Sequence, residues 1–340
     1  MTVSAPVWQI DFNACRPFLL SVVVPVYNEI QVLPQFMERL TAVLESIKQP
    51  YEILLVDDGS TDGSGDMMQR FVLTMPSVRV IWLSRNFGKE AAVTAGLAKA
   101  KGDAAVLIDA DLQDPPELIP EMVDNWRDGA DMVCMRRRSR AGENWFKRTS
   151  ASLFYRLLNR ISRFDIPPDT GDFRLMSRRV LNALNRLPER NRYMKGLFAW
   201  VGMPTRVLMY DRDPRAAGVT KWRPLSLMAL AFEGITSFSI APLRWVTAAG
   251  IVAAMWGALF GFWIVFKALF MGDPVAGYPS MMAVMTFLGG VQLLTVGLVG
   301  EYVGKIYTEV KQRPIYQIRE TSDDMVGRPV CAEEHHFASR

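Results

Sequence analysis

Between residues 18 and 210, short apolar segments alternate with segments whose apolar residues recur at helical spacing. Runs rich in β-branched residues predict strands at 18–26, 51–56, 78–83 and 104–108. The intervening patterns predict helices at 32–47, 66–74, 89–99 and 117–127. Strands and helices that alternate in this way are typical of an α/β domain built on a largely parallel sheet.

Two longer uncharged segments follow this domain. Segment 245–266 contains neither a charged residue nor a proline, and as a helix it would be about 33 Å long, enough to cross a bilayer core. Segment 280–300 is also uncharged. We therefore predict a two-helix transmembrane hairpin; the alternative is a buried helical hairpin of a soluble protein.

The charges around this hairpin predict its orientation. The connection 267–279 holds one lysine and one aspartate, whereas the outer flanks are rich in cations. These cations are Arg212, Arg215, Lys221, Arg223 and Arg244 before the hairpin, and Lys305, Lys311 and Arg313 after it. The positive-inside rule then places the α/β domain and both termini in the cytoplasm.

These patterns divide the chain into five parts. They are an N-terminal tail at 1–17, the α/β domain at 18–221, an interfacial helical segment at 222–242, the hairpin at 243–300, and a C-terminal segment and tail at 301–340. In the interfacial segment, Pro224 would open a helix whose apolar content suits the membrane surface, although a core helix is the alternative. Residues 1–17 and 320–340 are predicted to be mobile tails.

The composition limits the kinds of partner, compartment and catalytic site that the chain could have. The formal net charge of +4 is too small to indicate a nucleic-acid partner. Cys15, Cys134 and Cys331 lie far apart without metal-ligand spacing, which favours a reduced compartment. Both histidines lie at 335–336, so we expect no histidine triad or histidine-rich zinc site in the domain, and any general base should be a carboxylate. The polar residues and prolines in 1–17 argue against a secretory signal peptide.

Each predicted strand ends in polar residues. These ends read Tyr27-Asn28-Glu29, Asp57-Asp58-Gly59-Ser60, Ser84-Arg85-Asn86 and Asp109-Ala110-Asp111. Because ligands of open α/β sheets bind beyond the carboxyl ends of the strands, the four ends together predict a nucleotide site. The chain has no P-loop motif and no dinucleotide-binding glycine motif after a strand, so a P-loop kinase or a dinucleotide oxidoreductase is poorly supported.

Asp109 and Asp111 follow an apolar strand directly, and this arrangement suits a divalent cation. Hard cations such as Mg²⁺ and Mn²⁺ prefer oxygen ligands, and a bound cation neutralises the charge that develops on a departing nucleoside diphosphate. Taken alone, an Asp-x-Asp could also be a solvated acidic turn.

Several stretches of the chain resemble glycosyltransferase family 2. They are 24–29 (Val-Pro-Val-Tyr-Asn-Glu), 56–62 (Val-Asp-Asp-Gly-Ser-Thr-Asp) and 109–113 (Asp-Ala-Asp-Leu-Gln). Stretches at 86–90, 171–178, 187–191, 233–239 and 300–307 are similar to the bactoprenol glucosyltransferase branch, which is related to dolichyl-phosphate mannose synthase. The resemblance covers about residues 20–316, and it implies the A-type nucleotide-sugar fold and inversion of the anomeric carbon.

The resemblance also implies a pocket for the donor nucleotide. Its residues would be Pro25, Tyr27, Glu29, Val56, Asp58, Asp109 and Ala110. Tyr27 would stack on the base, a carboxylate would accept the imide N–H of uracil, and Asp109 would face the ribose or the diphosphate. Asp111 and Gln113 would reach Mg²⁺ or Mn²⁺, with Asp111 as the principal ligand.

Four more residues receive roles from the resemblance. Arg137, Arg215 and Lys221 would contact phosphates, although Arg137 could also lie in a solvated basic loop and the other two could simply flank the membrane. Asp172 would lie beside the acceptor phosphate. Because a phosphate monoester is mostly dianionic at pH 7, Asp172 could act as a base or only position the acceptor.

The sequence is therefore expected to encode a multi-pass glucosyltransferase of the bacterial inner membrane. It would move glucose from UDP-glucose to undecaprenyl phosphate for O-antigen modification. Alternatives are another donor sugar (4-formamido-arabinose, GlcNAc or mannose), a processive polysaccharide synthase, and a non-enzymatic flippase or scaffold. The synthase is disfavoured because Ala241 stands where its Gln-x-x-Arg-Trp motif has glutamine. Gly289-Gly290 would support packing between protomers of a homo-oligomer.

Overall fold

The computed structural model describes residues 17–138, 170–190, 192–210, 241–270 and 277–326. The predicted N-terminal tail lies outside the described residues except for Pro17, and so does the predicted interfacial segment except for residues 241–242.

Within the described residues, eight strands form one mixed sheet in the order β7-β5-β6-β4-β1-β2-β3-β8. Their bounds are β1 Leu20–Val26, β2 Tyr51–Asp57, β3 Val78–Leu83, β4 Ala104–Leu107, β5 Met132–Arg137, β6 Thr170–Ser177, β7 Thr205–Tyr210 and β8 Ile318–Thr321. The four strands predicted from the sequence are β1 to β4, and they pair in parallel. β6 runs antiparallel between β4 and β5, and β8 runs antiparallel along β3.

The helices of the α/β domain lie on both faces of the sheet. They are α1 Leu33–Ile47, α2 Ser64–Thr74, α3 Lys89–Lys99, α4 Ile119–Arg127, α5 Arg178–Asn185 and α6 Met194–Val201, with a 3₁₀ turn at Pro116–Leu118. α1 illustrates how the spacing of apolar residues predicts a helix with one buried face. Its buried residues Leu33, Phe36, Met37, Leu40 and Leu44 recur every three or four positions and so share one face.

The two faces of the sheet carry separate apolar clusters, because side chains alternate along each strand. In β2, Ile53 and Leu55 belong to one cluster, and Leu54 and Val56 belong to the other. α3 packs very closely on the second face at Gly96, where a Cβ atom would lie 2.3 Å from Cγ1 of Val23. This double-sided burial holds the carboxyl ends of β1 to β4 on one rigid edge.

Two long helices, α7 Ala241–Phe270 and α8 Tyr278–Lys311, follow the domain. They contain the predicted spans 245–266 and 280–300 and extend beyond them at both ends. Segments Leu243–Trp263 and Phe287–Lys311 are apolar and long enough to cross a membrane, and neither is buried against the rest of the described chain. Both helices therefore carry large apolar side chains on their exposed surfaces. Trp256 and Leu293, for example, are each 75% exposed.

The chain returns to the α/β domain after α8, which corrects the prediction of a mobile tail from residue 320. β8 pairs with the edge of β3, and the short helix α9, Ser322–Val326, follows it. The hydroxyl of Ser322 accepts the backbone N–H of Val80 at 3.0 Å. Arg79 bridges Asp323 and the buried Glu52, each at 2.7 Å. We call residues 318–326 the C-terminal strap, since they attach the far end of the hairpin to the sheet.

Candidate active site

A cleft of about 280 Å³ opens at the carboxyl ends of β1, β2 and β4. Its lining combines acidic, aromatic and small residues with one lysine. The lining residues are Pro25, Val26, Tyr27, Glu29, Asp58, Asn86, Gly88, Lys89, Ala92, Asp109, Ala110 and Asp111. The predicted donor residues are thus brought together here, except for Val56. Its side chain is fully buried on the sheet face that packs against α3, near Gly96. Successive side chains of a strand point to opposite faces, and that of Val56 points away from the cleft.

The loop after β1 is held in place by the turn after β2. Asn28 adopts a left-handed backbone (φ 55°), and its amide oxygen accepts the backbone N–H of Thr61 at 2.8 Å. The backbone N–H of Glu29 donates to the Ser64 hydroxyl, and that of Ile30 donates to Asp62. Tyr27 lines the cleft beside these bonds, and 47% of its surface is exposed. Its ring is therefore available to stack on a flat ring of a ligand.

Asp58 shapes the opposite wall of the cleft. Its two carboxylate oxygens accept the backbone N–H groups of Phe87 and Gly88 at 2.8 and 2.9 Å. Gly59 is required beside it, because its φ is +71° and a Cβ atom would lie 2.6 Å from the backbone of Arg85. Burial raises the pKa of Asp58 above its ordinary value, and the two backbone bonds only partly offset it.

Lys89 joins two carboxylates to which the resemblance gave expected roles, Asp109 towards the donor and Asp172 towards the acceptor. Its Nζ lies 2.7 Å from Oδ2 of Asp109 and 2.6 Å from Oδ2 of Asp172. Asp172 lies on β6, and the guanidinium of Arg174 steadies the backbone beside it by donating to the carbonyl of Gly171 at 2.8 Å. The antiparallel insertion of β6 next to β4 is what brings residues so distant in sequence into one site.

Burial and the neighbouring charges shift the pKa values of three carboxyl groups at or beside Lys89. Burial raises the pKa of Asp109, and Lys89 only partly opposes it. Burial would also raise the pKa of Asp172, but the charges of Lys89 and Lys195 outweigh it and hold that pKa well below its ordinary value. Burial and the nearby charge of Asp172 raise the pKa of Glu90 to about 7. Asp172 is therefore ionised at neutral pH, whereas Glu90 is close to half-protonated.

Asp111, the predicted metal ligand, lines the cleft. It is buried at the cleft floor, and its Oδ1 accepts the backbone N–H of Gln113 at 3.1 Å across a left-handed Leu112. Among the described residues, no group of three or more Asp, Glu, His or Cys side chains is arranged to hold a metal. A carboxylate donor set of this size fits Mg²⁺ or Mn²⁺ only if substrate phosphates complete the coordination, which is common for Mg²⁺.

Two residues near the metal candidate differ from expectation. Gln113 is half-buried and does not line the cleft. Asp114 stands before two prolines, where an aspartate would be expected to cap the following helix, but it makes no cap there. Its carboxylate instead accepts the hydroxyl of Tyr210, which also lies close to the side chain of Arg137. Arg137 thus ends strand β5 beside this buried pair and is itself half-buried, rather than lying in a solvated loop.

Arg215 and Lys221 lie outside the described residues. Lys89 and Glu90, by contrast, were not predicted as site residues, although both belong to the stretch 86–90 that resembles the family. The available signal was a lysine in the first turn of a helix directly after a polar strand end.

Comparisons with known proteins agree with this geometry. The model of glycosyl transferase family 2 matches residues 21–184, and that of the GtrB C-terminal hairpin matches residues 241–306. The mixed α/β sheet with an acidic cleft at its strand ends agrees with the A-type glycosyltransferase fold predicted from the sequence. The chain belongs to glycosyltransferase family 2, and the recognition made from its motifs is confirmed.

Curated relatives match the chain over most of its length. An uncharacterized glycosyltransferase of Synechocystis sp. is 46% identical over 88% of this chain and 95% of its own. The SfII prophage-derived bactoprenol glucosyl transferase of Shigella flexneri is 45% identical over 89% of this chain and 98% of its own. A prophage bactoprenol glucosyl transferase homolog of Escherichia coli is 43% identical over 88% and 98%.

Proposed function

We propose that this chain transfers glucose from UDP-glucose to undecaprenyl phosphate at the cytoplasmic face of the bacterial inner membrane. The observation that carries the proposal is the 45% identity to the Shigella flexneri bactoprenol glucosyl transferase, which extends through 98% of that relative. A similarity of this extent includes the nucleotide cleft and the hairpin alike, so it bears on both the donor side and the membrane side.

The reaction requires little proton transfer. An oxygen of the acceptor phosphate forms a bond to C1 of glucose while the bond from C1 to the β-phosphate oxygen of UDP breaks, and UDP leaves with the bonding electrons. Attack from the face opposite UDP converts the α-linked donor into a β-linked product. Because the acceptor phosphate is mostly dianionic at neutral pH, no base has to activate it. This favours a positioning role for Asp172, in keeping with its lowered pKa.

Charge is the larger problem, since two anionic substrates must meet in an acidic cleft. Lys89 places one cation between Asp109 and Asp172, where donor and acceptor phosphates would approach each other. Arg137 lies beside the same edge through Tyr210. A divalent cation held by Asp111, with Gln113 as the further candidate ligand, would supply charge that stabilises departing UDP. Arg215 and Lys221 remain the proposed contacts from the segment before the hairpin.

The hairpin would hold the cleft close to the lipid acceptor. Two exposed apolar helices, flanked by cations on the side of the α/β domain, support a multi-pass arrangement with that domain and both termini in the cytoplasm. Modification of O-antigen remains part of the proposal, as the resemblance implies.

A panel of labelled donors tests the proposal. Full-length enzyme in detergent is incubated with undecaprenyl phosphate, Mn²⁺ or Mg²⁺, and radiolabelled UDP-glucose, UDP-GlcNAc, UDP-4-formamido-arabinose or GDP-mannose. We expect label from UDP-glucose to enter organic solvent, and only when undecaprenyl phosphate is present.

Other outcomes separate the alternatives. Transfer from a different donor alone would refute glucose and retain the reaction type. No lipid-linked label from any donor, together with no metal-dependent binding of UDP, would favour the flippase or scaffold, since neither needs a nucleotide site or any chemistry.

A further inference from the structure

A second cavity, of about 470 Å³, lies between the α/β domain and α8, away from the nucleotide cleft. It is lined by Arg190 from the segment after α5 and by five residues of α8, namely Gly300, Glu301, Gly304, Lys305 and Thr308. The five α8 residues recur at helical spacing, so they form one face of the helix. We call this space the juxtamembrane cavity.

The juxtamembrane cavity begins where α8 changes from apolar to charged. No residue of α8 before Glu301 carries a charge. The neighbouring side chains of Val299 and Val303 are exposed, at 42% and 56%. If α8 spans a membrane, this position lies at the level of the lipid headgroups, with acyl chains against the exposed valines.

Glycines make the cavity accessible from α8. A Cβ atom added at Gly300 or Gly304 would meet nothing within 4 Å. The missing side chains therefore leave a groove on the helix surface that opens on Arg190. Glycine is an unfavourable residue inside a helix by roughly 1 kcal/mol relative to alanine, but small residues are common where a helix in a membrane is approached closely.

The side chains of Arg190 and Glu301 in the cavity have no partner among the described residues. The backbone N–H of Arg190 donates to the carboxylate of Glu309 at 2.9 and 3.1 Å, which ties this segment to α8. Its guanidinium makes no hydrogen bond or ion pair with any described residue, and the same holds for the carboxylate of Glu301. Two opposite charges thus face one space without pairing with each other, and Lys305 adds a second cation nearby.

We propose that the juxtamembrane cavity binds the headgroup of a zwitterionic phospholipid, one that carries both a phosphate and an ammonium group. Arg190 and Lys305 bind the phosphate, since a guanidinium matches the geometry of phosphate oxygens. Glu301 accepts the ammonium group, and the acyl chains follow the apolar face of α8. A headgroup with negative charge only would leave Glu301 repelling it, so the charge pattern selects the zwitterion.

This site differs from the proposed catalytic acceptor site, and it depends on the hairpin being in a membrane rather than on glucosyl transfer. Its test can therefore be made by binding alone, without donor or turnover.

The experiment titrates delipidated full-length protein in detergent with short-chain lipids. Dihexanoyl phosphatidylethanolamine is the zwitterionic probe, dihexanoyl phosphatidylglycerol the anionic probe, and farnesyl phosphate the probe for a prenyl acceptor. We expect the wild type to bind the ethanolamine lipid most tightly. Arg190→Gln should weaken that binding about tenfold or more, as expected for a lost charge-assisted contact. Glu301→Gln should weaken binding of the ethanolamine lipid but not binding of the glycerol lipid.

Two further variants keep the result interpretable. Arg186→Gln removes the same charge from the same segment outside the cavity and should leave binding unchanged. Gly304→Leu fills the groove without changing any charge and should reduce binding of both phospholipids, while melting temperatures report on folding. Equal binding by wild type, Arg190→Gln and Glu301→Gln would overturn the proposal. So would tighter binding of farnesyl phosphate at this cavity than of the ethanolamine lipid.

Discussion

At the scale of single residues, Lys89 lies between two carboxylates of the candidate site, although the sequence alone did not predict it as a site residue. It bonds to Asp109 and Asp172, which lie 20 and 83 positions away along the chain. Acidic strand ends could be recognised from local sequence, because each follows its own apolar run. The lysine between them could not, since its partners are fixed by the pairing of β6 with β4 rather than by anything near residue 89.

Replacing Lys89 tests its role between the two substrates. Lys89→Gln removes the cation and leaves two carboxylates facing each other, so we expect kcat/KM for glucosyl transfer to fall about 10- to 100-fold. Steady-state assays with each substrate varied in turn measure this loss. Lys99→Gln, on the exposed end of the same helix, is the matched control. Unchanged kinetics in Lys89→Gln would remove this residue from the site.

Glu90 makes the stability of the domain depend on pH. Its pKa of about 7 in the folded protein exceeds the ordinary value near 4.5, so the folded state holds its proton more tightly than the unfolded state. The resulting stabilisation is present below pH 4.5 and is lost as the pH rises through 7. A shift of this size corresponds to at most about 3 kcal/mol, and less for a side chain that retains contact with water.

Glu90→Gln should therefore stabilise the protein at pH 8 and have little effect at pH 5. Thermal unfolding in detergent at the two pH values measures the difference. An equal change in melting temperature at both would show that Glu90 does not titrate as its surroundings indicate.

At the scale of secondary structure, the sequence predicted the parallel core more fully than the rest of the sheet. β1 to β4 each carry enough apolar, β-branched residues to be recognised alone, and α1 to α4 separate them as expected. β8 carries no such pattern. It reads Ile-Arg-Glu-Thr and becomes a strand only because the edge of β3 offers unpaired backbone groups to it.

The C-terminal strap offers a direct test at this scale. Ser322→Ala leaves the buried backbone N–H of Val80 without the hydroxyl it donates to, so we expect unfolding to become easier by about 1–3 kcal/mol. Chemical denaturation of the full chain measures this free energy. Ser46→Ala, which removes an exposed hydroxyl that only donates to the Val43 carbonyl, should have no comparable effect. Equal stability of the two variants would mean that the strap is not held through Ser322.

At the scale of the whole molecule, the strap and the hairpin determine how the two long helices are attached to the α/β domain. The chain leaves the α/β domain, forms α7 and α8, and returns to the edge of the same sheet, so the hairpin is attached to the domain at both ends. Glu309 of α8 adds a contact through the backbone of Arg190. In the proposed reaction, a cleft fixed in this way would keep its position relative to the membrane surface, where the phosphate of the prenyl acceptor would lie.

The measurement that tests the account most directly is transfer of radiolabelled glucose from UDP-glucose to undecaprenyl phosphate by wild type and Asp111→Ala. Asp124→Ala, an exposed aspartate on α4, serves as the control. We predict lipid-linked glucose from the wild type and the control, and a loss of more than about 100-fold in Asp111→Ala, because the cation that stabilises departing UDP would lose its principal ligand. Undiminished transfer by Asp111→Ala, or no lipid-linked glucose from the wild type, would contradict the account.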